Sequence, residues 1–233
     1  MKKAFTMLEL VFVIVVVGII SVMIAPSFQN NSLRQAADQI VSHIRYTQHL
    51  AMMDNKFDKN ESFWYRQRWQ FAFSYADSRW SYMIFSDKPS LAGTYDGNPG
   101  ANNTYTDVEV AQNPLDNNYL IGVKNTTFAN YDTSKLTDKL DIEKTYGIVD
   151  VKMSGGTSST VKRILFDNLG RPYRGTGAST AAHPINSPVD YLATTTIKIK
   201  ICTESCVGAN TTANNENELI ILVEPETGYT HIQ

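Results

Sequence analysis

The stretch FTMLELVFVIVVVGIISVMIA, residues 5–25, decides how the rest of the chain is read. From Leu10 to Ala25 it carries no charge, and only Gly18 and Ser21 interrupt a row of large apolar side chains. Glu9 is the one carboxylate at its start, and Lys2 and Lys3 stand in front of it. An apolar run this dense, if helical, belongs in a bilayer or against other helices like itself. At the N-terminus it reads as an export signal, an anchor, or both. A cleaved secretory signal peptide fits less well. Residues 21–25 supply only a loose small-residue cleavage site, Pro26 is unfavourable directly after it, and Glu9 breaks the core at its beginning. A carboxylate near hydrocarbon costs about 2.5–3.5 kcal/mol on insertion scales unless it is paired or reaches the interface. Glu9 therefore asks for a reason.

Lys2-Lys3-Ala4-Phe5-Thr6-Met7-Leu8-Glu9, followed by the apolar run and Pro26, resembles the class III leader of type IV pilins and type II secretion pseudopilins. The resemblance implies that a prepilin peptidase cuts on the cytoplasmic side between Ala4 and Phe5 and methylates the new amine of Phe5. It leaves the apolar helix on the mature protein, makes Glu9 the fifth residue, and sets Pro26 where many members carry a helix-kinking proline. The family's usual residue before the cut is Gly, and here it is Ala4. Physical chemistry agrees with the family's use of the acid. A new α-amine at Phe5 is cationic at neutral pH, and Glu9 of a neighbouring subunit is its natural partner, since a buried charge is tolerable only when paired. The plainer alternative leaves Glu9 at the headgroup level of a simple anchor.

The fold expected from this is α+β. Residues 1–4 are a leader, and residues 5–53 a long N-terminal α-helix whose first half, residues 5–25, spans the membrane and later drives assembly. Residues 54–233 form a periplasmic head in which the helix packs on an antiparallel β-sheet. The implied partners are other pilin or pseudopilin subunits, prepilin peptidase, an inner-membrane assembly platform and inner-membrane lipid. The expected function is that of a structural fibre subunit, a minor one. The alternative is a module at the fibre tip that binds a surface, a secreted substrate or DNA.

The 233 residues, less the first fifty or so, leave one domain large enough for its own core. The net charge of −2 offers no basic footprint for nucleic acid. Cys202 and Cys206, spaced C-x3-C in an exported domain, suggest a small disulfide loop. Free thiols are the alternative, and neither C-x-x-C nor a nearby His cluster favours redox or metal chemistry.

After Pro26 the pattern turns amphipathic. Leu33, Ala37, Ile40, Ile44 and Ala51 recur at helical spacings with Ala36 and Val41 flanking, which predicts that the helix continues to about Met53. His43 and His49 lie six apart, off the spacing a metal site wants, and read as solvated polar-face residues. Asp58-Lys59-Asn60-Glu61-Ser62 resembles the bacterial N-glycosylation sequon, a short pattern that chance also produces. Trp69, Phe71, Phe73 and Tyr75 alternate with polar or small residues, a turn follows at residues 76–79, and Trp80, Tyr82 and Ile84 return. This is a hairpin with one buried face, its aromatics a core rather than a stacking surface for sugars or bases.

Residues 86–118 read as a long irregular excursion and as the candidate partner-contacting surface. Asp96, Asn98 and Asp107 faintly resemble a calcium loop, but the central glycine is displaced and Pro99 intrudes. Short strand signals follow at residues 119–123, 146–153, 161–166, 196–202 and 219–223. Lys198 and Lys200 alternate with isoleucines on a half-exposed strand, while residues 219–223 suit a central one. Arg171 and Arg174 read as a small solvated basic loop.

The segments ILFDNLGRP, residues 164–172, and ILVEPETG, residues 221–228, resemble the closing strands of the minor pseudopilin H and FimT-like subgroup, as does the aromatic hairpin followed by Asp87. FimT-like proteins bind DNA through basic residues near the C-terminus, but residues 224–233 here hold no Arg or Lys, so DNA is not an expected partner. The nucleotide-binding glycine loop, the G-x-S-x-G elbow and H-E-x-x-H are absent from the sequence. No enzyme activity, catalytic residue, cofactor or metal is expected.

Overall fold

The architecture, a computed structural model, describes residues 7–24, 27–89, 94–100, 109–122, 132–157, 161–176, 184–208, 212–213 and 215–233. Between residues 5 and 53 the described residues are helical over α1 (Met7–Ile24) and α2 (Ser27–Met53). At about 1.5 Å per residue α1 measures about 27 Å, short of the roughly 30 Å hydrocarbon layer, and Glu9 in its first turn shortens the charge-free part further. Among the described residues no helix is long and apolar enough to cross a membrane, so the membrane-spanning first half is not found. The α+β class and the antiparallel pairing are found, but in two sheets rather than one.

On α2 the stripe has the expected members. Leu33, Ala36, Ala37, Ile40, Val41, Ile44 and Ala51 are all buried, because three- and four-residue steps keep them on one side of the helix. That side contacts strands of both sheets and joins them. In chain order the strands are β1 (Trp69–Ala76) and β2 (Arg79–Ser86), then, after the short helix α3 (Ile142–Tyr146), β3 (Asp150–Ser154), β4 (Arg163–Phe166), β5 (Pro172–Tyr173), β6 (Ile197–Cys202), β7 (Glu218–Val223) and β8 (Thr230–Ile232). One sheet has the order β2-β1-β4-β5 and the other β3-β6-β7-β8. The main core lies between them and α2, built from Ile40, Ile44, Phe71, Tyr82, Ile164, Ile199 and their neighbours. Truncating one of its fully buried isoleucines to alanine costs about 2–5 kcal/mol.

Three sequence readings need correction because a distant segment covers a face that local pattern leaves open, and a fourth, the strand signal at residues 146–153, because its first residue is helical and the strand begins at Asp150. The β1–β2 hairpin is buried on both faces. Phe71 and Tyr82 enter the main core, while Ala72, Met83 and Phe85 pack with Val110, Tyr119 and Ile121 on the other side. Residues 110–121 thereby cover the outer edge of β2 through isolated bridges such as Phe85 with Val110 and Met83 with Ile121. Residues 142–146 are helical, since the Asp141 side chain caps the Lys144 N–H and Gly147 ends the turn in the left-handed region. Lys200 is buried beneath residues 206–207. Arg174 is buried too, its guanidinium donating to the carbonyls of Gly155 at 2.7 Å and Val161 at 2.9 Å.

The two segments singled out in sequence, residues 164–172 and 221–228, meet over the C-terminal part of α2. Gln48 Nε2 donates to the carbonyls of Gly170 at 2.8 Å and Thr227 at 2.7 Å. A Cβ on Gly228 would lie 2.4 Å from the Gly170 oxygen, and Gly228 has φ of +65°, so only glycine fits the crossing. Asp167 holds the first of these turns by accepting from Leu169 N, Arg171 N, Arg171 Nε and the Tyr173 hydroxyl.

Candidate functional site

The feature of this molecule that most needs a partner is α1. Its composition is apolar on every side, and its described side chains are exposed all the way round: Met7 is 86% exposed, Leu8 81% and Phe12 70%. None of them enters a core cluster of the head. Glu9, the only charged residue of the helix, sits in its first turn, where the helix dipole favours a carboxylate. Ala4, Phe5 and Pro26 lie outside the described residues, so the expected cleavage site, methylation site and proline kink are not seen in relation to it.

The head grips α2 through polar contacts as well as through the apolar stripe. Gln39 Nε2 donates to the Tyr82 hydroxyl at 2.7 Å and to the Lys139 carbonyl at 2.8 Å, while Gln39 Oε1 accepts from the Tyr146 hydroxyl at 2.7 Å. The Tyr82 hydroxyl is also hydrogen-bonded to Nδ1 of His43, 2.7 Å away, and donates to it when that nitrogen carries no proton. That donation needs a neutral imidazole, and burial pushes His43 down to about 4. Burial likewise pushes the Tyr82 phenol upward. His43 is therefore a partly buried structural residue, not the solvated one expected, whereas His49 is exposed. Farther along α2, Arg45 donates twice to the Thr230 carbonyl, at 3.1 and 2.6 Å, fixing β8 against the helix. A groove of about 430 Å³ lies beside the Gln39–His43 chain, lined among others by Tyr46, Leu115 and Leu140.

Cys202 and Cys206 are bridged, closing the small loop read from their spacing. What sequence did not disclose is how the chain after that loop is held. The Cys206 N–H donates to Asp150 Oδ2 at 3.1 Å and its carbonyl accepts from Lys152 Nζ at 2.9 Å. The Val207 N–H donates to Glu218 Oε1 at 2.6 Å and its carbonyl accepts from Lys200 Nζ at 2.6 Å. Lys200 and Glu218 also pair at 2.8 Å with side chains 0% and 1% exposed. Two ion pairs thus clamp two consecutive residues by their backbone, Asp150 with Lys152 at 3.9 Å along β3 and Lys200 with Glu218 between β6 and β7, the second a pairing that no local spacing signals.

Of the suggested calcium loop, Asp107 lies outside the described residues. Among the described residues no group of three or more His, Cys, Asp or Glu side chains converges to hold a metal ion. Asn60, the sequon residue, is exposed in a turn, its N–H donating to Asp58 Oδ1. Compared with protein-family models, curated proteins and solved structures, the chain finds no match.

Proposed function

We propose that this chain is a structural subunit, a minor one, of a type IV pilus-like or type II secretion pseudopilus fibre, processed by prepilin peptidase and assembled through its N-terminal helix. The observation that carries the reading is α1: a helix apolar on every side that the head leaves uncovered. About 25 cal/mol for each Å² of apolar surface favours covering it, and copies of itself are the cover its shape and composition suit. The leader-like residues 2–9 support the same reading, as does the way α2 is gripped by Gln39, Arg45, Gln48 and the buried stripe. In this scheme the helix is held at the inner membrane before assembly, with the head in the periplasm, and an assembly platform draws subunits into the fibre. Contacts are heterologous, so subunits continue as an open helix rather than closing a ring. Glu9 of one copy then faces the Phe5 amine of the next. The chain itself performs no catalysis.

Mass spectrometry of the natively expressed protein tests this directly. The expected mature N-terminus is an N-methylated Phe5; an end at or beyond Pro26, with the helix discarded, overturns the proposal. A Glu9→Ala variant is expected to be made and processed at ordinary levels but to enter sheared fibres at least tenfold less. Incorporation equal to the parent's would remove the amine-pairing account.

A further inference from the structure

Two buried carboxylates that assembly does not use hold the start and end of the excursion after β2. Asp87 follows β2 directly and is 1% exposed; its Oδ2 accepts the Gly97 N–H at 2.9 Å. Glu109, also buried, accepts the Lys88 N–H at 3.1 Å on Oε1 and the Gly100 N–H on Oε2. Residues 97 and 100 are both glycines in the left-handed region, so the turn they bracket is shaped to point those N–H groups at the acids. Arg163 on β4 completes the arrangement from below, donating to the Gly97 carbonyl at 2.7 Å and to Gln70 Oε1 at 3.1 Å.

The two acids are not equivalent. Both oxygens of Glu109 accept backbone N–H groups, which is the use of an ionised carboxylate. Asp87 Oδ1 is buried with no hydrogen-bond partner among the described residues. An ionised oxygen in that position is costly, whereas a carboxyl proton there lowers the charge that has to be buried. The charges that face the site are Asp96 and Glu109, which oppose ionisation of Asp87, and Arg163, which favours it. Lys88 faces Glu109 and favours its charged form. Tyr95, whose hydroxyl accepts from Gln67 Nε2, lies close enough to sense the Asp87 charge.

We propose that Asp87 is the proton-carrying member of a latch: with a proton on Oδ1 it keeps Gly97 docked at the end of β2, and loss of that proton sets three carboxylates beside one another and frees residues 94–100. Burial first, and then the Asp96 charge, push Asp87 up to about 8, while burial pushes Glu109 up to about 7. A carboxyl raised in this way contributes its stabilisation fully below the ordinary carboxylate range and loses it as pH rises through about 8. The latch is therefore closed in acid and neutral medium and opens in alkaline medium. Its consequence reaches beyond the turn, because Glu109 leads into Val110, which bridges to Phe85 and covers the edge of β2.

Hydrogen–deuterium exchange on the full-length chain in detergent, expressed as protection factors between pH 6 and 9.5, tests the latch. Peptides spanning residues 94–100 are expected to lose at least tenfold in protection with a midpoint near pH 8, while β6 and β7 stay flat. Asp87→Asn, which keeps an acceptor for Gly97 and cannot ionise, is expected to be protected at every pH. Should that variant fail to fold, Asp96→Asn serves instead: removing a neighbouring carboxylate makes Asp87 easier to ionise, so its midpoint is expected to move down by half a unit or more. A flat profile in the parent chain, an unchanged midpoint in Asp87→Asn, or an unshifted midpoint in Asp96→Asn overturns the proposal.

Discussion

At the scale of single residues, the chain Tyr146–Gln39–Tyr82–His43 shows how one protonation state is written into a contact. Tyr82 accepts from Gln39 and donates to His43 Nδ1 when the ring is neutral with its proton on Nε2. Burial holds His43 down at about 4, below its ordinary value near 6.5. A base with a depressed folded-state value adds stability above about pH 6.5 and loses it as pH falls through about 4. The unfolding free energy from urea titration is accordingly expected to fall between pH 6.5 and 4, by on the order of 3 kcal/mol. His43→Gln is expected to flatten that part of the profile, and an unchanged slope in the variant would contradict the assignment. Tyr82→Phe, which strands Gln39 and His43 together, is expected to cost about 1–3 kcal/mol at neutral pH. From sequence His43 reads as solvated because the polar side of α2 looks open; the hydroxyl that covers it belongs to β2, thirty-nine positions away.

At the scale of elements, the helix stripe was legible and the strand faces were only half so. Every expected apolar position of α2 is buried, since helical spacing alone puts those side chains on one side. Strand alternation tells which residues share a face but not whether something lies over the polar one. Ala72 and Lys200 are buried because residues 110–121 and 206–207 return from far along the chain. The Cys202–Cys206 element makes that difference measurable. Closing a five-residue loop is worth about 2 kcal/mol in chain entropy, and the clamp by Asp150, Lys152, Lys200 and Glu218 holds residues 206–207 in place without it. The double variant Cys202→Ser, Cys206→Ser is therefore expected to fold and to lose about 2 kcal/mol in urea titration. Lys200→Met leaves Glu218 buried without its cation and is expected to cost more, about 3–5 kcal/mol. If the disulfide variant were the less stable of the two, the clamp would not be what orders this loop.

At the scale of the whole molecule, the chain is a self-sufficient head with an apolar helix attached, and only part of that was legible. Residues 5–25 announced an apolar helix, but hydropathy alone could not say where the helix would end or whether its length would match a bilayer. The clusters show the division of labour: among the described side chains the main core takes its first residue at Leu33, and none of α1 enters any cluster. Among the described side chains, removing α1 thus removes surface that the head does not use. A chain comprising residues 27–233 is expected to unfold cooperatively, with a midpoint within a few degrees of the full-length protein's in the same mild detergent. By light scattering it is expected to be a monomer without detergent, whereas the full-length chain associates once detergent is withdrawn, since the uncovered apolar helix has only other copies to bury it. A truncated chain that is unfolded would show that α1 belongs to the core after all. One that still associates as strongly as the parent would move the assembly surface from α1 to the head, and the fibre scheme would have to be rebuilt around a different face.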